Sequence, residues 1–313
     1  YYPAAWHSLV AAIVQLTGAS VATAANAAWI GVCAAVWLPG VAWLAQVTLH
    51  RLRPDVVALV ALPLGASFGW MPYGLLGWGT LYPTFLATAL LPAAVAVPVL
   101  TWLRLRNAHA PARVVVLGSM VLAVSICAIT FSQPRVLVSW ALVVAPAALG
   151  VLAASARRLW LAGGRARQRM LWGVAILAAS AVLAAAVVLL YLVNVLGLFD
   201  RPLDERLGGP QAEATQSVID GLLQVLLVST MTGVGGVISA PALGLAAAIA
   251  IGAVAAVKAR GMRWIVLTYV LIAFLFAVAA GSDDAIAKLA TALWYKDRFR
   301  LAATLPVLGV VLA

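Results

Sequence analysis

Near the C-terminal end, the run Trp294-Tyr295-Lys296-Asp297-Arg298-Phe299-Arg300 gathers one carboxylate, three cations and three aromatic rings. Guanidinium and ammonium groups hold phosphate, arginine through a bidentate fork, and aromatic faces stack on a sugar or an isoprenoid chain. Asp297 and Arg300 stand three positions apart, so a helix that begins at once would set them on one face as an ion pair. The same composition also suits an interfacial anchor with a surface ion pair, a pairing of small energetic value. At the level of the residues both readings stay open.

The opposite end carries a second group. Tyr1-Tyr2-Pro3-Ala4-Ala5-Trp6-His7 sets an imidazole among aromatic rings, where His7 could hydrogen-bond an anionic headgroup or a sugar, or be satisfied by water and backbone. Tyr1, Tyr2 and Trp6 also suit a membrane-interface belt. Asp283 and Asp284 offer oxygen ligands of the kind a divalent cation takes, or are simply solvated acids after a helix. The Asp200 to Glu205 cluster has the same two readings. His7, His50 and His109 do not pair at metal-ligand spacing with another His, Cys or Glu, which disfavours a histidine-built metal centre. Thr232-Gly233-Val234-Gly235-Gly236 lacks the lysine and preceding strand of a phosphate loop and reads as a helix break. Cys33 and Cys127 lie in apolar runs and read as packed side chains.

The elements that must position these groups follow from composition. With 65% hydrophobic and 9% charged residues over 313 positions, the chain cannot cover a soluble globule with polar surface. Many uncharged stretches reach about 17 to 25 residues, the length of a transmembrane helix, and none alternates with the two-residue period of a barrel strand. The expected fold is all-α, a polytopic membrane helix bundle with outer interfacial helices.

The formal charge of +11 does not point to nucleic acid, because of where the charges lie. Most Lys and Arg fall in four short connections: Arg51 and Arg53; Arg104, Arg106 and Arg113; Arg157, Arg158, Arg165, Arg167 and Arg169; Lys258, Arg260 and Arg263. Short basic loops mark the cytoplasmic face. Apart from Asp55, the acids fall in the intervening segments, which places Asp200, Asp204, Glu205, Glu213, Asp220, Asp283, Asp284 and Asp297 outside the cell membrane. The pattern predicts crossings at 22-49, 54-70, 84-103, 113-131, 136-156, 171-197, 238-257 and 264-280, and a partial one at 301-313. Residues 1-17 and 214-230 are expected at the outer interface, with 71-83 dipping into it and 281-300 forming the last outer loop. That gives eight complete spans and one truncated span in a single transmembrane domain over 1-313. The chain reads as a fragment that lacks an N-terminal span, a first large outer loop and a C-terminal continuation.

The Tyr1-Tyr2-Pro3 and Trp6-His7 opening, the Pro72-Tyr73-Gly74 to Tyr82-Pro83 segment, and the closing Trp294-Tyr295-x-Asp297-x-x-Arg300-Leu301-Ala302 form an ordered set. Together they resemble an uncharacterised family of large actinobacterial membrane proteins, itself similar to the GT-C glycosyltransferases. The resemblance implies a GT-C-like membrane enzyme of cell-envelope glycan synthesis. Such an enzyme moves a sugar from a polyprenyl-phosphate donor to a glycan or lipid acceptor on the outer face. It further implies a site in which Tyr2, His7, Tyr295 and Arg300 bind substrate and Asp297 serves as a catalytic carboxylate. The main acidic residue of such enzymes lies in a first outer loop, which is expected to precede this chain. A divalent cation is a possible cofactor.

Two other classes fit the same sequence. A lipid or sugar transporter suits many interrupted helices, but transporters place ionisable residues near the membrane midplane, and here the charges gather at the ends. A noncatalytic scaffold would keep the architecture without the chemistry.

Overall fold

The computed structural model describes residues 3–77, 79, 81–106, 110–165, 167–168, 170–175, 213–229, 240–259 and 261–313, together with the single positions 179, 183, 186 and 190. Among them every regular element is a helix, and there is no strand. Six helical runs are long and apolar enough to cross a membrane: Val21–Thr48, Pro54–Gly77, Tyr82–Leu105, Pro111–Ser132, Val136–Ala162 and Arg263–Gly281. The protein is a helical membrane protein by this measure. Contacts gather the chain into two units, Tyr1–Val144 with Ala212–Ala313, and Ala145–Gln211.

The first unit opens with α1 (Ala5–Thr17), stopped by Gly18 in the left-handed conformation, whose N–H caps Val14. Ser20 then caps α2 (Val21–Val32) by accepting from the Thr23 N–H. The helix runs on through a π-helical turn at Cys33–Trp37 into α3 (Leu38–Thr48). Pro54 sits in the first turn of α4 (Pro54–Ser67), where its missing N–H costs nothing.

The expected crossing at 54-70 is not one unbroken helix. Phe68 and Met71 adopt extended dihedrals, so α4 proper is 14 residues long, about 21 Å at the α-helical rise. A π-helical turn at Gly69–Gly74 and the short α5 (Leu75–Gly77) follow, burying Trp70, Met71, Pro72 and Leu75. The break leaves the Gly65 carbonyl without a helical partner, and the Trp37 indole N–H donates to it at 2.8 Å. The same device recurs in α6 (Tyr82–Leu105). Pro98 has no N–H to give Ala94, so that carbonyl accepts from Trp140 of α8 at 3.0 Å.

Helices α7 (Pro111–Ser132) and α8 (Val136–Ala162) are joined by the turn Gln133-Pro134-Arg135. Gly118 meets the Thr101 side chain so closely that α6 and α7 can pack there only without a Cβ. In the second unit, Gly163 and Gly164 both take left-handed φ and end α8, and Arg167 lies over the Trp160 ring at 3.6 Å.

The chain resumes with α9 (Val218–Leu226), started by a reciprocal capping box between Ser217 and Asp220. One face of α9 buries Gly221 and Val225 against α11 (Arg263–Gly281), while Ile219 and Leu226 stay about 70% exposed. The helix α10 (Leu243–Lys258) has 16 residues, short of the roughly 20 that span unaided. The expected crossing at 171-197, the polar cluster Asp200 to Glu205 and the glycine break at 232-236 lie outside the described residues.

The segment 281-300 is an ordered hairpin of short helices: α12 (Ala285–Thr291), a 3₁₀ turn at Ala292–Trp294, and α13 (Arg298–Ala302). The partial span expected from 301 is divided. The run turns at Ala303-Thr304, and α14 (Leu305–Leu312) follows with every residue buried. Phe68, Trp70 and Phe276 form an aromatic tier beside it, and Gly309 fits beneath the Phe68 ring.

Candidate functional site

Three segments from distant parts of the sequence converge in the first unit: the start of α6, the turn between α7 and α8, and the hairpin at 293–300. Thr84, Thr88, Gln133, Arg135, Val136, Ser139, Leu293, Trp294 and Arg300 line a small pocket there, with room for about one water molecule.

Asp297 governs the local geometry. Its Oδ1 accepts the Phe299 N–H at 2.9 Å and so caps α13, and its Oδ2 accepts from Arg300 Nε at 3.0 Å. The helix thus begins at once, and the three-residue spacing becomes an ion pair with both side chains largely buried, 16% and 11% exposed. Arg300 reaches the pocket with its orientation fixed. Tyr295 stands between two guanidinium groups, Arg135 at 3.2 Å and Arg300 at 5.0 Å from the ring centre. Each contact of this kind contributes about 0.5–2 kcal/mol, more as water is excluded. The Trp294 indole N–H donates to Ser139 Oγ at 2.9 Å and ties the hairpin to α8.

The backbone here is strained. Tyr295 and Lys296 both adopt left-handed φ, +59° and +53°, which costs non-glycine residues roughly 1–2 kcal/mol each. The turn carries the Lys296 ammonium inward, where it is wholly buried and paired with Asp283. Contact with Lys296, reinforced by the Ala214 N–H, holds the Asp283 carboxyl below the ordinary carboxylate range. Arg298 is 5% exposed, its Nη1 makes no hydrogen bond among the described residues, and burial lowers its proton affinity against the attraction of Asp297.

The chain matches, over residues 1–313, a family described as "Family of unknown function (DUF6541)". It belongs to DUF6541. No curated protein and no solved structure matches it. The DUF6541 match spans all three segments that build the pocket, and it attaches no chemistry to them.

Of the residues singled out in this DUF6541 sequence, Tyr295, Asp297 and Arg300 do come together. His7 is exposed on α1, and its neighbour Trp6 is buried in a stack on Tyr82 at 4.8 Å, at the start of the helix that supplies Thr84 and Thr88. Tyr2 lies outside the described residues. Lys296, one of the cations of the run that the sequence offers alongside Arg300 for holding a phosphate, is buried and paired with Asp283, because two left-handed residues turn it inward. Asp284 caps α12 through the Ala287 N–H at 2.6 Å and also accepts from Ser282 Oγ, so the adjacent acids are divided between two structural tasks. Among the described residues no three His, Cys, Asp or Glu gather as metal ligands.

Sequence reasoning missed Arg135, Thr84, Thr88 and Ser139. One signal was present: Arg135 lies outside the four basic connections, in the short turn Gln133-Pro134-Arg135.

Proposed function

We propose that this protein is a GT-C-like membrane glycosyltransferase that takes a sugar from a polyprenyl-phosphate donor on the outer face of the membrane, in cell-envelope glycan synthesis. The reading rests on one observation above the others. Arg300, which lines the small pocket, is held by Asp297, with Tyr295 and a second guanidinium, Arg135, beside it. A preoriented guanidinium at a helix end stabilises a leaving phosphate as negative charge develops on it, without reorganisation at that moment. The donor's isoprenoid chain would lie in the bilayer and its phosphate at the helix ends, where these residues stand.

In this reading Asp297 is a positioning residue. Both of its oxygens are committed, one to a backbone N–H and one to Arg300, which leaves a poor general base and a good orienter. The test is transfer from a labelled polyprenyl-phosphate sugar in membranes that contain the full-length protein. Arg300→Ala is expected to lower transfer by about two orders of magnitude, the scale of losing one charged group at a developing anion, while the protein still accumulates in the membrane. Unchanged transfer in that variant would sink the assignment. Asp297→Asn is expected to raise KM for the donor more than it lowers kcat.

A second reading, a noncatalytic membrane scaffold or lipid carrier, is favoured by the small size of the pocket. In it the Tyr295–Arg300 cluster braces the hairpin and handles no substrate, and membranes rich in the full-length protein would show no donor-dependent transfer at all.

A further inference from the structure

The far end of α8 carries arginines that nothing in the chain neutralises. Arg157, Arg158, Arg165, Arg167 and Arg169 follow one another closely, and no acid stands between Asp55 and Asp200. Helix length fixes their depth. Val136 to Ala156 measures about 31 Å at the α-helical rise, which matches a hydrocarbon core of about 30 Å. Arg157 and Arg158 therefore fall at the level of the headgroups.

The turn that follows keeps the next arginines beside them. Gly163 and Gly164 take left-handed φ, and the Gly163 carbonyl accepts the Arg167 N–H at 3.2 Å, which starts a new helical turn at once. Arg167 thereby folds back onto α8, its Cζ 3.6 Å from the centre of the Trp160 ring. The ring takes one face of the guanidinium and leaves the N–H donors at its edge for an anion. Arg157, Arg158, Arg165 and Arg167 are all exposed. So are Leu159, Trp160 and Leu161, the last at 69%. A partner in the aqueous phase would leave these apolar side chains bare to water, whereas the membrane interface accepts tryptophan, leucine and cations together. The connection at 51–55 differs, because Asp55 pairs with Arg53 at 2.6 Å and offsets part of its charge.

We propose that this turn is a binding site for the headgroup of an anionic glycerophospholipid, whose phosphate is taken by Arg167 on its Trp160 platform. Arg157, Arg158 and Arg165 supply the surrounding attraction, which selects an anionic headgroup over a zwitterionic one. The stacked guanidinium is held in place before the lipid arrives, and its fork matches two phosphate oxygens. The site is independent of the transferase reading, since it shares no residue with the Arg300 pocket.

The experiment reconstitutes the full-length protein in phosphatidylcholine vesicles with a trace of photo-crosslinkable phosphatidylglycerol, or of its phosphatidylcholine twin, and maps the labelled peptides. The phosphatidylglycerol probe is expected to label 157–171 about fivefold more than its twin, the ratio that one arginine near an anionic headgroup gives. Replacing Arg157, Arg158, Arg165 and Arg167 together by glutamine is expected to bring the ratio to one, with labelling of α7 unchanged as the folding control. Trp160→Leu keeps every charge and removes the platform, and is expected to lower the ratio about twofold. Arg51→Gln with Arg53→Gln is expected to leave it as it was. Equal labelling by the two probes, a ratio that survives the fourfold replacement, or no effect of Trp160→Leu would overturn the proposal. An equal preference at 51–55 would do the same, since any basic loop would then suffice. So would capture of a labelled oligonucleotide by the phosphatidylcholine vesicles that the fourfold replacement abolishes, which would make the partner a nucleic acid.

Discussion

Lys296 shows how one residue's chemistry is decided by backbone that its own sequence hides. A lysine between Tyr295 and Asp297 reads as an accessible cation, yet two successive left-handed residues turn it wholly into the fold to meet Asp283. Neither residue is glycine, so no local pattern announces the turn. The pair is lopsided, with Lys296 fully buried and the Asp283 side chain half exposed. Removing the acid takes the Asp283 charge from a fully desolvated ammonium, whereas removing the lysine leaves an acid that water can serve. Asp283→Asn is therefore expected to cost about 2 kcal/mol, discounted for the exposure of the acid, and Lys296→Met less. Thermal unfolding of the purified protein in detergent would rank them, and a larger loss for Lys296→Met would refute the account. The pH dependence has a definite sign. The Asp283 carboxyl is held below its ordinary value, chiefly by Lys296, so its contribution is complete above about pH 4, the unfolded value, and disappears as pH falls through the folded one. Below about pH 4 the wild-type advantage over Asp283→Asn is expected to shrink.

At the scale of helices, glycines and prolines decide more than hydropathy does. A Cβ on Gly252 would fall 1.5 Å from the Leu312 carbonyl oxygen, and one on Gly281 would fall 2.3 Å from the Val218 N. These contacts let α10 touch α14 and let the start of α9 touch the end of α11, with backbone against backbone. Small residues at such crossings are how membrane helices gain close packing where lipid supplies no hydrophobic drive. Gly252→Ala and Gly281→Ala are each expected to destabilise by about 2 kcal/mol or more. Gly150→Ala, where the added methyl meets nothing within 4 Å, is expected to gain up to about 1 kcal/mol from helix propensity. Denaturation midpoints of the three variants would separate the classes, and equal effects would mean that the crossings are looser than described. Helix positions were largely legible in the sequence, since uncharged length and flanking arginines placed α6, α7 and α11 within two residues, while α8 starts as expected at Val136 but continues through Arg157 and Arg158 to Ala162. The breaks were less so. Pro63 and Gly65 announced a bend, yet α4 ends only where Phe68 turns extended, and α14 leaves α13 at a turn that carries no charge to mark it.

At the scale of the molecule, the alternation of spans was readable because lipid allows few alternatives for a backbone. It assigns the start of α6, the turn at 133–135 and the hairpin at 293–300 to a single side, and these three segments do meet around one pocket. The pocket itself was not readable, because Thr84, Ser139 and Arg135 acquire meaning only from packing between segments far apart in sequence. Convergence fixes which ends lie together but leaves the side of the membrane to the charge asymmetry. The alternation of spans read from the sequence predicts that the basic connections, Arg51 and Arg53 among them, lie opposite Asp283, Asp284 and Asp297, and basic loops are retained on the cytoplasmic side. In a variant whose Cys33 and Cys127 are replaced by alanine, a single cysteine at Ala285 is expected to react with a membrane-impermeant maleimide on intact cells. A single cysteine at Arg157 is expected to react only after permeabilisation. Both positions are exposed on the protein, so a difference between them reports the membrane and not burial. The reverse pattern would turn the molecule over, put the Arg300 pocket in the cytoplasm, and remove the outward-facing donor on which the transferase proposal depends.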